Sequence, residues 1–417
     1  MINNHKYIDI QKIKSTDIQK IIVSKICSDQ EITEREGEYF GEDYFLNKPN
    51  RHIISNNADV YIKEKGKKDR LLLKLRKGVI SKQNTDKALH SFREASKKKH
   101  ENRGASAGVL DRDKLANYIG KFKSTGKFRT GFYSSVSGKA SKQATSNLSQ
   151  SNIVGFYDVP DRNLKGKGAP CRLTVFNRDT PELWDTSIPF IQECDKCFKY
   201  LVPDKHQIQL ERAKKTPKFS IDKTAYSTLT INYSWRTALH RDRGDLKEGF
   251  GNLVVIEDTN NKNSFDGCYL GFPQYGVAVE VRTGDYLAMD VHEWHCNTEF
   301  KPKSKHVFQD SNNRFSDKDI KNGWYFNRLS IVMYLRENMI KCTDKALWKN
   351  KAGGGYNGYN SDNGYNSDNG YNSDNGYNSD ISFRDDLSDT NDINTQIYEN
   401  LPEEYIKYMQ NRFGLFM

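Results

Sequence analysis

From Leu229 to Arg336 the sequence is a succession of short apolar runs separated by turn residues, without alternating helices. That pattern points to an antiparallel sandwich or jelly roll. The runs are residues 229–235, 253–257, 268–272, 277–281, 285–291 and 328–336. In the first, Leu229, Ile231, Tyr233 and Trp235 alternate with polar residues, the signature of a half-buried strand. Just past its end come His240 and Asp242. At the strand period of two, residues i and i+2 point the same way, so an imidazole and a carboxylate here can converge on one small object, such as a metal ion.

A chain of 417 residues has room for two or three domains only if all of it folds. The tail argues otherwise. GYNSDN recurs with period six after Ala352, placing Tyr359, Tyr365, Tyr371 and Tyr377 in identical contexts. One aromatic per six residues cannot bury a core, so disorder is expected for residues 346–395, with a protein partner as one use for the repeat. Residues 396–417 regain apolar character and read as a helix-like tail.

Net charge is +11, but residues 351–417 carry 4 Lys/Arg against 11 Asp/Glu, which leaves +18 on the rest. Residues 61–100 alone hold 14 Lys/Arg against 4 Asp/Glu. Such an excess suits a polyanion, nucleic acid above all, and equally suits a solvated lysine-rich face. No apolar run reaches the roughly 18 to 20 residues a bilayer demands, and the first residues lack the apolar centre of a signal peptide. A soluble, intracellular protein with no membrane partner is expected, in the cytoplasm or the nucleus. Seven cysteines without a framework pattern fit a reducing compartment, and no disulfide is expected.

The chain before the strand run divides by composition into a polar segment, 1–58, and a basic α/β stretch, 59–170, followed by the core, 171–345. In the first, Ile18, Ile21, Ile22 and Ile26 fall at helical spacing and predict a short helix over 16–27. Residues 59–80 read as two strands around a turn at 65–68, and 85–99 as a helix. The small residues of ENRGASAG (101–108) allow close backbone approach. A helix is expected over 111–122, and a long surface loop over the Ser/Gly/Lys-rich residues 124–152. Thr180-Pro181-Glu182 opens a further helix, on which Cys194 and Cys197 form a lone CxxC. A structural zinc site takes about four ligands, and with only His206 nearby these two read as buried thiols.

His240-x-Asp242 needs company to count as a site, and GDYLAMDVHEWHCNTEF supplies it in His292 and His295. Two His and one carboxylate on one side of an ion leave three positions open, the facial arrangement of non-haem Fe(II) oxygenases. Open positions leave room for a chelating 2-oxo acid and dioxygen. A distal carboxylate on that acid also needs a cation, which Arg328 or, eight residues on at the same parity, Arg336 can supply. Taken singly, His240 also reads as a turn histidine, Asp242 and Asp245 as turn residues around Gly244, and Trp294-His295 as core.

His240-x-Asp242, the strand from Gly284-Asp285 to His295, and Arg328 with Ser330 resemble the 2-oxoglutarate and Fe(II) dependent dioxygenases. The wording TLTINYSWRTALHRDRGD and DVHEWHCNTEF, with ENRGASAG upstream, is similar to the TET and J-binding-protein group, over roughly residues 95–340. The resemblance implies an α+β fold with a double-stranded β-helix (jelly-roll, cupin-like) core flanked by helices. It implies His240, Asp242 and His295 as iron ligands, with His292 as the competing third ligand. Arg328 would anchor 2-oxoglutarate, with Arg336 the alternative. It further implies oxidation of the 5-methyl group of a pyrimidine in nucleic acid, DNA in the first instance. The span from His295 to Arg328 is long for the superfamily. A prolyl or lysyl protein hydroxylase with the same iron core, and a non-catalytic nucleic-acid-binding protein, are the rival functions.

Overall fold

The computed structural model describes residues 7–46, 49–96, 99–100, 103–108, 131–132, 144–145, 147, 149–157, 171–257, 265–302 and 328–342. The helix expected over 111–122, the repeat, the helix-like tail, and most of the 124–152 loop and of the polar excursion after residue 299 lie outside them. No helix among the described residues is long and apolar enough to cross a membrane.

The chain is a mixed α and β structure built on one large and one smaller sheet. The strands that build them are β1 (Gln19–Val23), β2 (His52–Ile54), β3 (Ala58–Ile62), β4 (Arg70–Arg76), β5 (Lys99–His100), β6 (Ser149–Tyr157) and β7 (Thr228–Tyr233). They continue with β8 (Gly251–Glu257), β9 (Leu270–Phe272), β10 (Val277–Val279), β11 (Tyr286–Met289), β12 (Cys296–Asn297) and β13 (Arg328–Tyr334). The large sheet runs β1-β3-β4-β11-β8-β13-β7-β6-β5, with Arg172–Leu173 also on β6; the smaller one runs β12-β9-β10-β2. Pairings are antiparallel except β1 with β3 and β10 with β2.

Alternation along each strand sorts the large sheet into two covered faces. Val254 and Ile256 of β8, Tyr286 and Ala288 of β11, and Leu329, Ile331 and Met333 of β13 join one apolar cluster with Phe92 of helix α1 (Lys82–Ser96) and Trp184, Ile191, Cys194 and Phe198 of helix α2 (Pro181–Leu201). Their neighbours Leu253, Val255, Leu287 and Met289 face Leu270, Phe272, Val277 and Val279 of the smaller sheet in a second cluster. The order is therefore helices, large sheet, small sheet. Side chains of this size each stabilise by about 1.5 to 3 kcal/mol when removed from water.

The first strand is thus not half-buried as its alternation suggests. Leu229, Ile231 and Tyr233 lie under the helices, while Thr228 and Asn232 are also buried, on the face turned toward the small sheet. Hydrophobic period separates two faces, but it cannot tell solvent from a polar interior. A second departure is at 16–27, where β1 stands in place of the expected helix; the β-branched run Ile21-Ile22-Val23 pairs with β3, and tertiary pairing overrides a short helical spacing. Residues 149–152, placed in the surface loop, begin β6 instead.

The two-strand reading of 59–80 and the helices beginning near Thr85 and at Pro181 match β3, β4, α1 and α2. Cys171 and Cys342, 171 residues apart, form a disulfide with Cα atoms 5.5 Å apart, against the expectation of none. A pairing between positions this far apart in the chain leaves no trace in local spacing. Cys194 and Cys197 are buried free thiols, and His206 binds Asp195 through Nε2 at 3.1 Å rather than either sulfur.

Candidate metal centre

His240 and His295 are opposite partners in an antiparallel bridge, each backbone N–H donating to the other's carbonyl at 3.0 Å. Opposite residues in such a pair share a face, and their imidazole centroids lie 4.3 Å apart. Asp242, two residues on from His240, returns to that same face, its N–H donating to the Val291 carbonyl at 3.1 Å. Its carboxylate oxygens are 3.6 Å from His240 Nε2 and 3.6 Å from His295 Nε2. One donor atom from each of the three falls within 4.8 Å of the others, and no other such group occurs among the described residues.

Both rings are oriented from behind. His240 Nδ1 lies 2.7 Å from the Ala238 carbonyl and His295 Nδ1 lies 2.9 Å from the Glu293 carbonyl. A carbonyl can only accept, so each Nδ1 carries a proton, and once the ring is neutral each Nε2 has its lone pair free for the common point. Burial and the neighbouring His295 push His240 down to about 4, so it is neutral near pH 7. Burial pushes the Asp242 carboxyl up, but the hydrogen bond from His295 and the surrounding imidazoles outweigh it and hold it at about 2. Burial lowers His295, and the hydrogen bond with Asp242 more than reverses that. Two neutral-capable imidazole nitrogens and an ionised carboxylate are the donor set an Fe(II)-type cation takes.

His292 is not part of the cluster. Its Nε2 lies 3.2 Å from the Leu246 carbonyl and its N–H donates to Asp290. Arg328 is 2 % exposed and opens β13, where its backbone exchanges hydrogen bonds with Ser234. Across the sheet it opposes Glu257, but that carboxylate is taken by Arg282 at 2.8 Å. No ion pair or side-chain hydrogen bond engages the Arg328 guanidinium among the described residues. Arg336 lies past the other end of β13, bridged to Asp245, with its N–H on Ser227 Oγ at 3.2 Å.

Several contributors were not singled out in the sequence. Asn232 opposes Ser330, on the same face of the sheet as Arg328, and its Oδ1 accepts from Ser151 at 2.5 Å. A polar residue on the complement of an apolar alternation was the available signal. Residues 37–38 pair with Leu239, one residue before the first histidine, through Gly37 N to Leu239 O and Leu239 N to Glu38 O. Phe40, Leu239, Trp294 and Cys296 form a cluster directly behind the site. The small residues 104–107 form a 3-10 turn whose Ser106 carbonyl accepts from Ala238. Gly108 follows with φ +81, where a Cβ would sit 2.7 Å from the Tyr39 ring, so the close approach expected there is real.

Five of the fourteen Lys and Arg residues of 61–100 are paired with carboxylates among the described residues. Arg70 pairs with Glu64, Asp290 and Glu293, Lys74 and Arg76 with Asp59, Lys77 with Asp285, and Lys82 with Asp86. Lys63, Lys65, Lys67 and Lys68, on the hairpin between β3 and β4, have no carboxylate partner among the described residues.

Residues 153–337 match the family model Tet_JBP, described as the oxygenase domain of the 2OGFeDO superfamily. The bifunctional helicase and thymine dioxygenase JBP2 of Leishmania major is 31% identical over 188 residues, which is 45% of this chain and 14% of that protein. Thymine dioxygenase JBP1 of Trypanosoma brucei brucei is 30% identical over 186 residues, 45% of this chain and 19% of that protein. The chain therefore matches less than a fifth of either relative. Among solved structures, NgTET1 in complex with 5mC DNA aligns at 10% identity with a TM-score of 0.38, covering 78% of this chain and 99% of that one.

Proposed function

We propose, for a chain whose residues 153–337 carry a Tet_JBP oxygenase domain, an Fe(II)- and 2-oxoglutarate-dependent dioxygenase that hydroxylates the 5-methyl group of a pyrimidine, thymine or 5-methylcytosine, in DNA. The observation that carries this reading is the convergence of His240, Asp242 and His295 on one point within that domain. The strand order supports a double-stranded β-helix core. From β7 on, the chain visits the large sheet, then the His240 bridge beside the small one, then large, small, small, large, small and large again.

In this reading His240 Nε2, Asp242 and His295 Nε2 hold the iron, and Arg328 receives the distal carboxylate of 2-oxoglutarate. A buried guanidinium with no carboxylate partner among the described residues is suited to a bidentate acid. When bound, Fe(II) with 2-oxoglutarate and dioxygen supplies the oxidising equivalents, one oxygen atom going to the substrate C–H bond and one to succinate as carbon dioxide leaves. The protein's own work is to hold three donors in one geometry, to neutralise the co-substrate and to keep the site dry. A methyl group inside a duplex cannot reach a site between two sheets, so the target base leaves the stack. The four lysines of the β3–β4 hairpin are cations available for phosphates.

Anaerobic addition of Fe(II) and 2-oxoglutarate should produce a visible metal-to-ligand charge-transfer band. Admission of air with DNA should then yield hydroxymethyl pyrimidine nucleosides by mass spectrometry. No band in the wild type would defeat the enzyme reading; a band with unchanged DNA nucleosides would defeat the substrate.

A further inference from the structure

Two of the three ligands of the proposed iron site are held by a single turn, and that turn is gripped from outside the oxygenase-domain match. The Val291 carbonyl accepts the Asp242 N–H at 3.1 Å. The Glu293 carbonyl takes His295 Nδ1 at 2.9 Å. Arg70 of β4 spans the carboxylates of the same turn: Nη1 is 2.6 Å from Asp290 Oδ2, Nη2 bonds Glu293 Oε1, and Nε is 3.1 Å from Glu64. Tyr275 Oη donates to the other Glu293 oxygen at 2.8 Å, and Asp290 N–H donates to the Leu72 carbonyl of β4 at 2.9 Å.

Asp290 and Glu293 are mostly buried, with side chains 15% and 18% exposed, and stand three residues apart in one tight turn. Two carboxylates so placed repel, and each prefers water to the interior. Without the guanidinium between them, their repulsion opens the turn, and that moves the carbonyls of 291 and 293. Moving them releases the Asp242 backbone and the Nδ1 proton that fixes the His295 tautomer. Groups in this relation to a metal ligand typically govern affinity by about 10- to 100-fold.

We propose that Arg70 is a positioning residue of the metal centre: it neutralises Asp290 and Glu293 so that the 290–293 turn presents Asp242 and His295 together. The inference rests on the iron-site reading above. It assigns the N-terminal β3–β4 hairpin a part in metal binding.

The test is Co(II) titration of the metal-free full chain without oxygen, followed by visible absorption, with the melting temperature of each metal-free variant measured alongside. Arg70→Ala should weaken Co(II) binding by about 10- to 100-fold, and Arg70→Lys should recover part of it. Tyr275→Phe, which retains the ring, should weaken binding severalfold and decides the matter if Arg70→Ala does not fold. Lys74→Ala breaks the ion pair with Asp59 on the same hairpin and should bind Co(II) like the wild type at whatever melting temperature it shows. Wild-type affinity in both Arg70→Ala and Tyr275→Phe overturns the proposal, as does a loss in Lys74→Ala equal to that in Arg70→Ala. A wild type that binds no Co(II) overturns the metal reading itself, and is recognised before any variant is compared.

Discussion

The oxygenase-matching part of the chain and the N-terminal residues before it contribute to the same centre in different ways. Residues 153–337 contain all three members of the His240, Asp242 and His295 cluster, and also Arg328 at the start of β13. Residues 7–80 supply none, yet they extend both sheets through β1, β3 and β4 on one and β2 on the other. They pair with Leu239, cover Trp294 and clamp the 290–293 turn. Chemistry here is local and motif-like, whereas the rigidity it depends on is distributed over distant segments.

Breaking the donor side should have the largest effect. Asp242→Ala removes the only carboxylate of the cluster and should abolish Co(II) and Fe(II) binding, a loss well beyond the roughly 100-fold expected of a supporting group. Equilibrium dialysis checks this, and retained binding would show that the ion sits elsewhere. Next, Phe40→Ala tests whether the N-terminal part is scaffold or appendage. Phe40 is 2 % exposed, contacts Tyr44 edge to face at 4.9 Å, and gives its carbonyl to Arg236. Its truncation should cost about 3 to 5 kcal/mol in urea unfolding of the whole domain. A separate early transition that leaves the main one unmoved would make the segment an appendage.

Arg328→Lys separates co-substrate binding from metal binding. A point charge replaces a planar fork, so the KM for 2-oxoglutarate should rise by about tenfold while Co(II) affinity holds. An unchanged KM would transfer the role to another cation, Arg336 first. The smallest expected effect per residue is at the hairpin tip. Replacing Lys63, Lys65, Lys67 and Lys68 by Gln should reduce the slope of log affinity for duplex DNA against log salt by up to about 3.5, with turnover of a free nucleoside unaltered. An unaltered slope would return those lysines to a solvated face.

The same contrast explains what could be seen before the fold was known. The strand succession, the helix opening at Pro181 and the two strands around residues 65–68 were legible because period and turn chemistry are local. The convergence of His240, Asp242 and His295 was legible because residue types that bind metal are few and their order along the strands was informative. The choice of His295 over His292 as the cluster's second imidazole became geometric only with the bridge to His240, since His292 spends its Nε2 on a carbonyl. Three features could not be read. β1 lies in a run of isoleucines whose spacing also fits a helix, and only β3 decides it. Asn232 looked like the solvent side of a half-buried strand because alternation marks faces and not what they face. Arg70 stood among many basic residues, and its partners are 220 and 223 residues away.

An anomalous difference map at the iron edge, from crystals grown without oxygen in Fe(II) and 2-oxoglutarate, tests the three-residue iron site most directly. The expected result is one peak bonded to His240 Nε2, Asp242 and His295 Nε2, with the co-substrate's distal carboxylate on the Arg328 guanidinium. A peak on His292, a carboxylate seated on Arg336, or no iron among these residues would contradict it.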